Sequence, residues 1–562
     1  MQDRQDGIDA LREGEDDHLV ALVNHGVSAR NDDFFALGGD SLMAIRIGIR
    51  ARELFNFEVT LRMLFEQPTI AELADYISRR TPELTEEITG HSDKFYPAPA
   101  SASQSLMFSQ HQLNDGYPIF NLVLSFRLKG KLDRKALKNS IDTVIQRHEV
   151  LRGTFGWSHG ECSFHVPQDV SWNGVNTIED WKVLGETGGY AFARSVCDDE
   201  AWTRFDLEQK PAIRFRLLEL TEDVSVLVIA THHIISDSWS TDILLREISA
   251  NYAQQAHNWI SSAAVRDVDF SDFAVFQNNW STGANAEAQL DYWAKNLHGA
   301  QGVFPQGKTP SRQSSLKAGR SPVAIDEQLL QKARDLAKQE ETTLFVLFLT
   351  TYKLLLFSKF DVEDICVATP AANRSWKNAE EIVGLVENTV VVRTAIDSNK
   401  TFRDLLANVR SNVLNAQVHQ EYPFETLMQE LARRGAENRV PPVDMFFSLT
   451  SKIGETLTLP EVEIRVFGEI GMYAQPVIPV NQASFMLMLN ETHDGICGSL
   501  AFDETEFDDN FIAALISDFQ LLLEYVINTP QQTLEHMATG VKQLYSLASA
   551  PSAENSQPRS RS

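Results

Sequence analysis

The first 80 residues show apolar positions at the spacing of amphipathic helices. Leu42, Ile45 and Ile49 follow Ser41 at intervals of three or four residues, and Arg46 lies on another face. This pattern predicts a helix that begins close to Ser41 and buries one of its sides.

A further helix is predicted after Pro68. Thr69 can cap its N-terminus, and Glu72 stands three residues later, where it can complete a capping box. The apolar residues that follow continue at helical spacing. Together the two helices predict a small helical bundle between residues 18 and 80.

The hydrophobic pattern changes beyond residue 80. Residues 81–102 are rich in proline, serine, threonine and acidic side chains, the composition of an exposed connector. Strand-like runs then alternate with helical periods, which predicts an α/β architecture. The predicted strands are Leu122–Leu128, Val224–Ala230 and Thr389–Thr394, and the predicted helices are Asp133–His148, Ser240–Gln254, Glu327–Lys338 and a buried apolar helix near Leu344.

The length of the α/β part predicts two lobes, because domains usually run to roughly 100 to 200 residues. We therefore divide the chain into a helical domain at residues 1–80, a linker at 81–97, a first lobe at 98–269, a second lobe at 270–540 and a tail at 541–562. The tail is polar and rich in serine, so we expect it to be disordered.

Composition narrows the classes of function. The 562 residues are 43% apolar and 23% charged, as in a globular protein. The 50 basic and 77 acidic side chains give a formal net charge of -27, which repels phosphate backbones, so we expect no nucleic-acid partner. The four cysteines stand apart, without a CxxC pair or a histidine cluster at ligand spacing, so no metal site is predicted.

The chain shows no predicted export signal or membrane span. Its N-terminal residues are acidic and polar, whereas a secretory signal needs basic residues and then an apolar core. The most apolar stretch, Leu344–Phe357, is interrupted by polar residues and is shorter than the roughly 20 residues that span a bilayer. We therefore expect a cytoplasmic protein without a membrane partner, with its cysteines as buried thiols.

Ser41 follows two glycines and an aspartate and precedes the first predicted helix. A phosphodiester on its hydroxyl would meet unsatisfied backbone N–H groups and the positive end of the helix dipole. Position alone favours a simple helix cap, which is the commoner use of serine or aspartate at such a place.

A longer sequence motif around Ser41 favours a modified serine over a simple helix cap. The run DDFFALGGDSL, followed by FEVTLRMLFEQPTIAELA, resembles the peptidyl carrier proteins of nonribosomal peptide synthetases. In that family the serine of this phrase carries 4'-phosphopantetheine. The resemblance therefore implies that Ser41 is the attachment point of this cofactor.

Two histidines follow an apolar predicted strand in the run THHIISDSWS, residues 231–240. Neighbouring side chains on an extended segment point to opposite sides, so one imidazole can face a cleft while the other packs inward. Taken alone, His232 and His233 are better interpreted as a structural pair at the end of a strand.

The same run resembles the HHxxxDG motif of condensation domains, in which the second histidine faces the reaction channel. Seven further blocks correspond in family order: SASQSLMF (101–108), RHEVLRGTF (147–155), RFDLEQKPAIRFRL (204–217), FSDFAVFQ (270–277), ATPAANR (368–374), VGLVENTVVVR (383–393) and HQEYPFETL (419–427). The resemblance implies two chloramphenicol-acetyltransferase-like lobes that form a V-shaped channel, with His233 as the catalytic residue. Either a general base or a group that positions the amine would suit His233.

The resemblance also implies roles for residues that surround the catalytic histidine. His232 belongs to the motif without being catalytic. Asp237 matches the family's aspartate, which generally turns away from the channel into an ion pair, and Arg374 is the partner we hypothesise for it. Ser238 stands where the family has glycine, so its side chain can narrow or reshape the approach of the acceptor.

The resemblance implies that the carrier presents a donor acyl or peptidyl thioester on Ser41 and that the condensation domain transfers it to an acceptor amine, forming an amide bond. The implied partners are an upstream loading or elongation module, a phosphopantetheinyl transferase, and an acceptor carrier protein or soluble nucleophile. A terminal condensation domain that releases the chain onto a soluble amine or alcohol stays an alternative. So do epimerisation and a non-catalytic recruitment module.

A serine hydrolase is the remaining enzyme class that a motif suggests. The residues around Ser158 fit the GxSxG pattern, whose serine needs a strand before it and a helix after it. In this sequence the pattern lies between two strand-like runs. It therefore predicts a hairpin turn and argues against a hydrolase.

Overall fold

A computed structural model describes most of the chain. The described residues are 31, 33–35, 41–55, 57, 59–79, 86–90, 96–114, 118, 120–166, 176–257, 268–303, 318–434, 443–451, 456–468, 485–492, 494–504 and 507–540. The glycines before Ser41 and the predicted disordered tail lie outside them.

The helical domain contains three described helices, α1 (Ser41–Phe55), α2 (Leu61–Glu66) and α3 (Ile70–Ser78). The predicted capping box is confirmed, because the Thr69 hydroxyl accepts the Glu72 N–H and the Glu72 carboxylate accepts the Thr69 N–H. The buried side chains of these helices pack around Phe34 and Phe35 in a core of their own. This arrangement confirms the small bundle.

The first lobe is built on a five-stranded sheet. Its strands are β2 (Asn121–Gly130), β5 (Asn176–Asp180), β6 (Ile213–Glu219), β7 (Val224–His232) and β12 (Val462–Val466), in the order β12-β2-β7-β6-β5. The central strand β7 is buried along its whole length, as its continuous apolar run predicts. Four helices follow in this part of the chain: α4 (Ala102–Leu113), α5 (Arg134–Arg147), α6 (Gly185–Trp202) and α7 (Ser238–His257).

A small antiparallel sheet joins β1 (Ala98–Pro99), β3 (Thr154–Ser158) and β4 (Glu161–His165). Ser158 pairs with Glu161, so His159 and Gly160 form the turn of a β-hairpin, both with positive φ. The GxSxG pattern therefore lies in a hairpin, as predicted, without the strand-to-helix turn of a hydrolase.

The second lobe contains a six-stranded sheet in the order β10-β9-β11-β13-β14-β8. Its strands are β8 (Ala318–Asp326), β9 (Asp364–Ala371), β10 (Asn388–Ala395), β11 (Met445–Ser451), β13 (Phe485–Thr492) and β14 (Gly495–Asp503). The helices are α8 (Phe270–Trp280), α9 (Ala284–Asn296), α10 (Glu327–Gln339), α11 (Leu344–Phe360), α12 (Phe402–Val418), α13 (Phe424–Arg433) and α14 (Asp509–Asn528). The predicted α/β architecture with two lobes is thus confirmed.

One helix in the described part of the chain, α14, is long and apolar enough by length and composition to cross a membrane. Helices α10 and α11 pass the same test only as a pair bent by 102°. In α14 the positions Leu515, Phe519 and Leu522 are buried at helical spacing within the main core, which is typical of a core helix. The predicted burial of the helix at Leu344 is also observed.

Two details differ from the expectations. The connector is not exposed throughout, because Ile88 is fully buried and its N–H donates to the carbonyl of Lys377 in the second lobe. The apolar side chain of Ile88 is buried there, although most of the residues next to it in the sequence are polar. Helix α7 begins at Ser238, two residues before the predicted start, because the Asp237 carboxylate accepts the Ser240 N–H and caps the helix.

Candidate active site

The site lies where the central strand of the first lobe ends. Strand β7 runs between β2 and β6 and ends at His232, which pairs with Asn121. A short 3-10 helix, His233–Ile235, turns the chain, and Asp237 then caps helix α7. The sequence thus places three polar side chains, those of His233, Ser236 and Asp237, between a rigid buried strand and a long helix.

The two histidines take different environments. The His232 side chain is fully buried, its Nδ1 accepts the Ile234 N–H at 3.1 Å, and its ring packs edge-on against the ring of Phe205. The His233 side chain is 19% exposed. Its Nδ1 lies 2.6 Å from the carbonyl oxygen of Ser236.

The contact of His233 with Ser236 fixes its tautomer. A carbonyl oxygen can only accept a hydrogen bond, so Nδ1 must carry the proton that is donated. In the neutral imidazole Nε2 is then the nitrogen with a lone pair. That nitrogen lies 3.8 Å from Oε1 of Glu387, on the other lobe.

Asp237 turns inward and forms a buried ion pair with Arg374, the partner hypothesised for it. Nη2 of Arg374 lies 3.1 Å from Oδ1 and 3.0 Å from Oδ2 of Asp237. Oδ2 also accepts the backbone N–H groups of Val386 and Glu387, at 3.1 and 3.0 Å. One carboxylate therefore connects the strand end of the first lobe to two segments of the second lobe.

The surroundings of this pair keep it ionised. Burial on its own raises the pKa of Asp237, but the Arg374 guanidinium and the hydrogen bonds from Ser240 and from the Glu387 backbone hold it below its usual value. Burial lowers the pKa of Arg374, which Asp237 partly offsets. Arg374 also donates to the carbonyls of Ala379 and Ile382.

Ser238 is exposed and is the first residue of α7. It borders a cavity of about 80 Å³ between β2, β6, β7 and α7, whose other walls include Thr231, Leu244 and Ile248. The cavity is mostly apolar. A side chain at position 238 therefore occupies space beside a pocket that adjoins the histidine motif.

The helical domain contacts the first lobe next to this motif. Nη2 of Arg46, on α1, lies 2.6 Å from Oδ2 of Asp242, on α7. The Arg46 guanidinium is 5.8 Å from the ring centroid of Trp239, and that of Arg374 is 5.5 Å from the same ring. Trp239 thus links the carrier contact to the buried ion pair.

A second contact reaches the other lobe. The Arg410 guanidinium on α12 lies 5.9 Å from the ring centroid of Phe65 on α2. Phe65 itself stacks on Phe35 in the core of the helical domain at 4.0 Å. The helical domain therefore contacts both lobes.

Ser41 is the first residue of α1, and the first turn of this 15-residue helix holds no acidic residue. A phosphate joined there would meet the free N–H groups of the turn and the positive end of the helix dipole. The position fits a phosphodiester. Bound to it, 4'-phosphopantetheine would supply a flexible arm whose thiol holds the acyl group as a thioester.

Glu387 is the residue of this site that the sequence analysis does not single out. It lies within the block VGLVENTVVVR, which the resemblance identifies only as a whole. The sequence did contain one signal for Glu387: it is a charged residue in an apolar run that leads into a buried strand. Its proximity to His233 depends on how the two lobes pack, and the pattern of neighbouring residues in the sequence carries no information about that packing.

Comparisons with known proteins identify the two domains. The family model of the condensation domain matches residues 94–542, and that of the phosphopantetheine attachment site matches residues 22–77. The chain belongs to the condensation-domain family. Condensation domains of nonribosomal peptide synthetases form amide bonds from carrier-bound acyl groups, and the domain that precedes this one is a phosphopantetheine carrier.

Curated relatives of this condensation domain and its carrier are large peptide synthetases. A linear gramicidin synthase of Brevibacillus parabrevis is 31% identical over 510 residues, which are 90% of this chain and 10% of that protein. Malpibaldin synthetase of Mortierella alpina is 27% identical over 526 residues, 92% of this chain and 9% of that protein. The chain thus spans about a tenth of the length of these relatives.

Solved structures show the same fold. The X-domain from teicoplanin biosynthesis is 22% identical, with a TM-score of 0.65, and the match covers 79% of this chain and 98% of that one. The first condensation domain of the calcium-dependent antibiotic synthetase is 14% identical, with a TM-score of 0.64, and the match covers 78% of this chain and 98% of that one. These likenesses confirm the predicted two-lobed fold.

Proposed function

We propose that the carrier presents an acyl or peptidyl donor on Ser41 and that His233 acts as the base when the condensation domain transfers it to an acceptor amine. The observation that carries this proposal is the fixed tautomer of His233. Ser236 binds the protonated Nδ1, so the basic Nε2 remains for the nucleophile.

The position of the carrier supports the donor role. Arg46 is five residues beyond Ser41 on α1, so the two Cα atoms are about 7.5 Å apart along the helix axis. Arg46 in turn contacts α7, which begins five residues after His233. A short tether from Ser41 would therefore start close to the helix that leads out of the histidine motif.

The transfer needs no acyl-enzyme intermediate. A thioester is already activated, so the protein has to align it with the amine and accept one proton, and alignment alone can contribute several kcal/mol. The rigid strand β7 and the buried pair of Asp237 and Arg374 hold His233 for that task. His232 is packed inside and supports the strand end.

We infer the partners from the same scheme. An upstream loading or elongation module supplies the donor, and a phosphopantetheinyl transferase modifies Ser41. The acceptor arrives on another carrier protein, and release onto a soluble amine or alcohol is the alternative. The reaction belongs in the cytoplasm, where the buried thiols of Cys162, Cys197 and Cys366 stay reduced.

The test is to convert the protein to its phosphopantetheinyl form, load an acyl donor, and follow the intact mass while carrier-bound and soluble nucleophiles are offered. We expect loss of the acyl group to one acceptor class, abolished in His233→Ala and retained in His159→Ala, which removes an exposed histidine of the hairpin. Loading should fail in Ser41→Ala and persist in Ser78→Ala. Loading of the Ser41→Ala protein would refute the tethering role.

A further inference from the structure

We propose that Glu387 is the acid partner of His233 at the bond-forming centre and returns a proton to the departing sulfur. This inference rests on the proposed function of His233. It concerns a side chain from the second lobe, whereas the histidine motif lies in the first.

The geometry brings the two groups together from separate lobes. Oε1 of Glu387 lies 3.8 Å from Nε2 of His233, and the two side chains are 23% and 19% exposed. Both therefore border the same partly open space. Since Nδ1 of His233 is taken up by Ser236, Nε2 is the nitrogen that can exchange a proton with Glu387.

The backbone of Glu387 is held in place independently of its side chain. Its N–H donates to Oδ2 of Asp237 at 3.0 Å, and the N–H of Val386 donates to the same oxygen at 3.1 Å. Strand β10 begins at the next residue. The carboxyl group is thus positioned by the buried ion pair of Asp237 and Arg374, on a rigid element.

The charge of Glu387 has no evident structural purpose. Among the described residues, His233 is the basic side chain within 4 Å of its carboxylate. The preceding residues of its block are apolar and buried. Burying an ionisable group without a strong partner is costly, and such groups are concentrated at functional sites.

Burial is also the main reason why Glu387 holds a proton. Burial and, to a smaller extent, the nearby Asp237 carboxylate raise the pKa of Glu387 to about 8, although Arg374 acts in the opposite direction. Among the described residues, His233, Asp237 and Arg374 are the ionisable groups that face it. At neutral pH Glu387 is therefore a carboxylic acid beside the imidazole of His233, so the two side chains can serve as an acid and a base.

The proton balance of acyl transfer suits this pair. The nitrogen–carbon bond forms as the nucleophile loses a proton to Nε2 of His233, and the carbon–sulfur bond breaks as the sulfur takes the proton of Glu387. The pair is left as imidazolium and carboxylate. Transfer of one proton from His233 to Glu387 restores the starting state, so the products are one amide and one thiol.

The first experiment compares the loaded wild type with Glu387→Gln, which keeps the shape of the side chain but cannot release a proton. We expect kcat to fall about 100-fold or more, with little change in KM for the acceptor. With the same acceptor in both proteins, the ratio of wild-type to variant kcat should decrease as the pH rises through about 8, where Glu387 ionises.

The matched control is Glu179→Gln. Glu179 is also 23% exposed, but it lies on β5 and pairs with Arg216. Its replacement should leave the pH profile unchanged. Wild-type kcat and an unchanged pH profile in Glu387→Gln would overturn the inference.

A second measurement needs no transfer activity. In protein labelled with ¹³C at the glutamate carboxyl carbons, the signal missing from Glu387→Gln belongs to Glu387, and its chemical shift should titrate near pH 8. A midpoint in the ordinary glutamate range would refute the inference, whether or not the wild type transfers an acyl group; failure of transfer alone would refute only the proposed function.

Discussion

Arg374 and Asp237 form an ion pair in which Nη2 lies 3.0 Å from Oδ2 and neither side chain exceeds 1% exposure. The aspartate belongs to the histidine motif of the first lobe and the arginine to the second lobe. Because the same carboxylate binds the N–H groups of Val386 and Glu387, it fixes how the two halves of the site face each other.

Asp237→Ala should lower the free energy of unfolding by about 3 to 5 kcal/mol, because it leaves the Arg374 charge buried without its partner. Activity should fall as well, since the segment around Glu387 loses two hydrogen bonds. Urea denaturation measures the first effect. The exposed Asp198 serves as control, and Asp198→Ala should change stability by at most about 0.5 kcal/mol. Normal stability with lost activity in Asp237→Ala would contradict the structural role of the aspartate.

Reversing the charge of Arg46 should slow transfer from the carrier. Arg46→Glu and Asp242→Arg each place like charges at the contact, whereas the double variant restores attraction. Because the pair is partly exposed, at 38% and 21%, we expect a change of a few-fold, up to about 1 kcal/mol, that weakens at high salt. Single-turnover rates measure it.

Arg62→Glu is the control for the carrier contact, since Arg62 pairs with Glu66 within α2. It should leave the rate of transfer unchanged. A double variant of Arg46 and Asp242 that is as slow as either single variant would show that this contact does not deliver the donor.

Ser238→Gly should widen the range of acceptors. The substitution removes a side chain beside the cavity of about 80 Å³ that adjoins the histidine motif. We expect kcat/KM to rise for bulky amines and to stay constant for small ones, with Ser195→Gly on α6 as the control. The comparison is made across amines of increasing size. An unchanged ratio across the series would mean that Ser238 does not shape the acceptor approach.

Glu387→Gln should alter the dependence of stability on pH. In the folded protein the pKa of Glu387 is about 8, above the value of about 4.3 in an unfolded chain, so the folded state holds a proton that the unfolded state releases. The stabilisation from this proton is complete below about pH 4.3 and is lost as the pH rises to 8. Relative to the wild type, the variant should become more stable across this window, by up to a few kcal/mol, and level off above it.

Urea denaturation of both proteins between pH 5 and 9 measures this difference. Glu179→Gln is again the control, because the Arg216 guanidinium holds the pKa of Glu179 below its usual value, outside that window. Parallel stability curves for the wild type and Glu387→Gln would contradict the raised pKa.

Structural features that depend on residues close together in the sequence, such as helix caps, could be predicted from the sequence. Thr69 and Asp326 cap their helices through bonds to residues three positions on, so a short window contains the whole signal. The location of His233 and the pairing of Asp237 with Arg374 came from a resemblance between motifs. The approach of Glu387 to His233 could not be predicted in either way, because it depends on how two separately folded segments pack.

Strand β12 has a consequence for anyone who recombines synthetase segments. Residues 462–466 come from the second half of the chain, yet they pair with β2 along the edge of the first lobe's sheet. A fragment that ends near residue 269 would keep the pairing of β2 with β7 but leave its other edge unpaired, and an exposed strand edge invites aggregation. Chimeric enzymes should therefore exchange the two lobes as one piece and place their junctions before Ile88 and after Met537, both of which are fully buried.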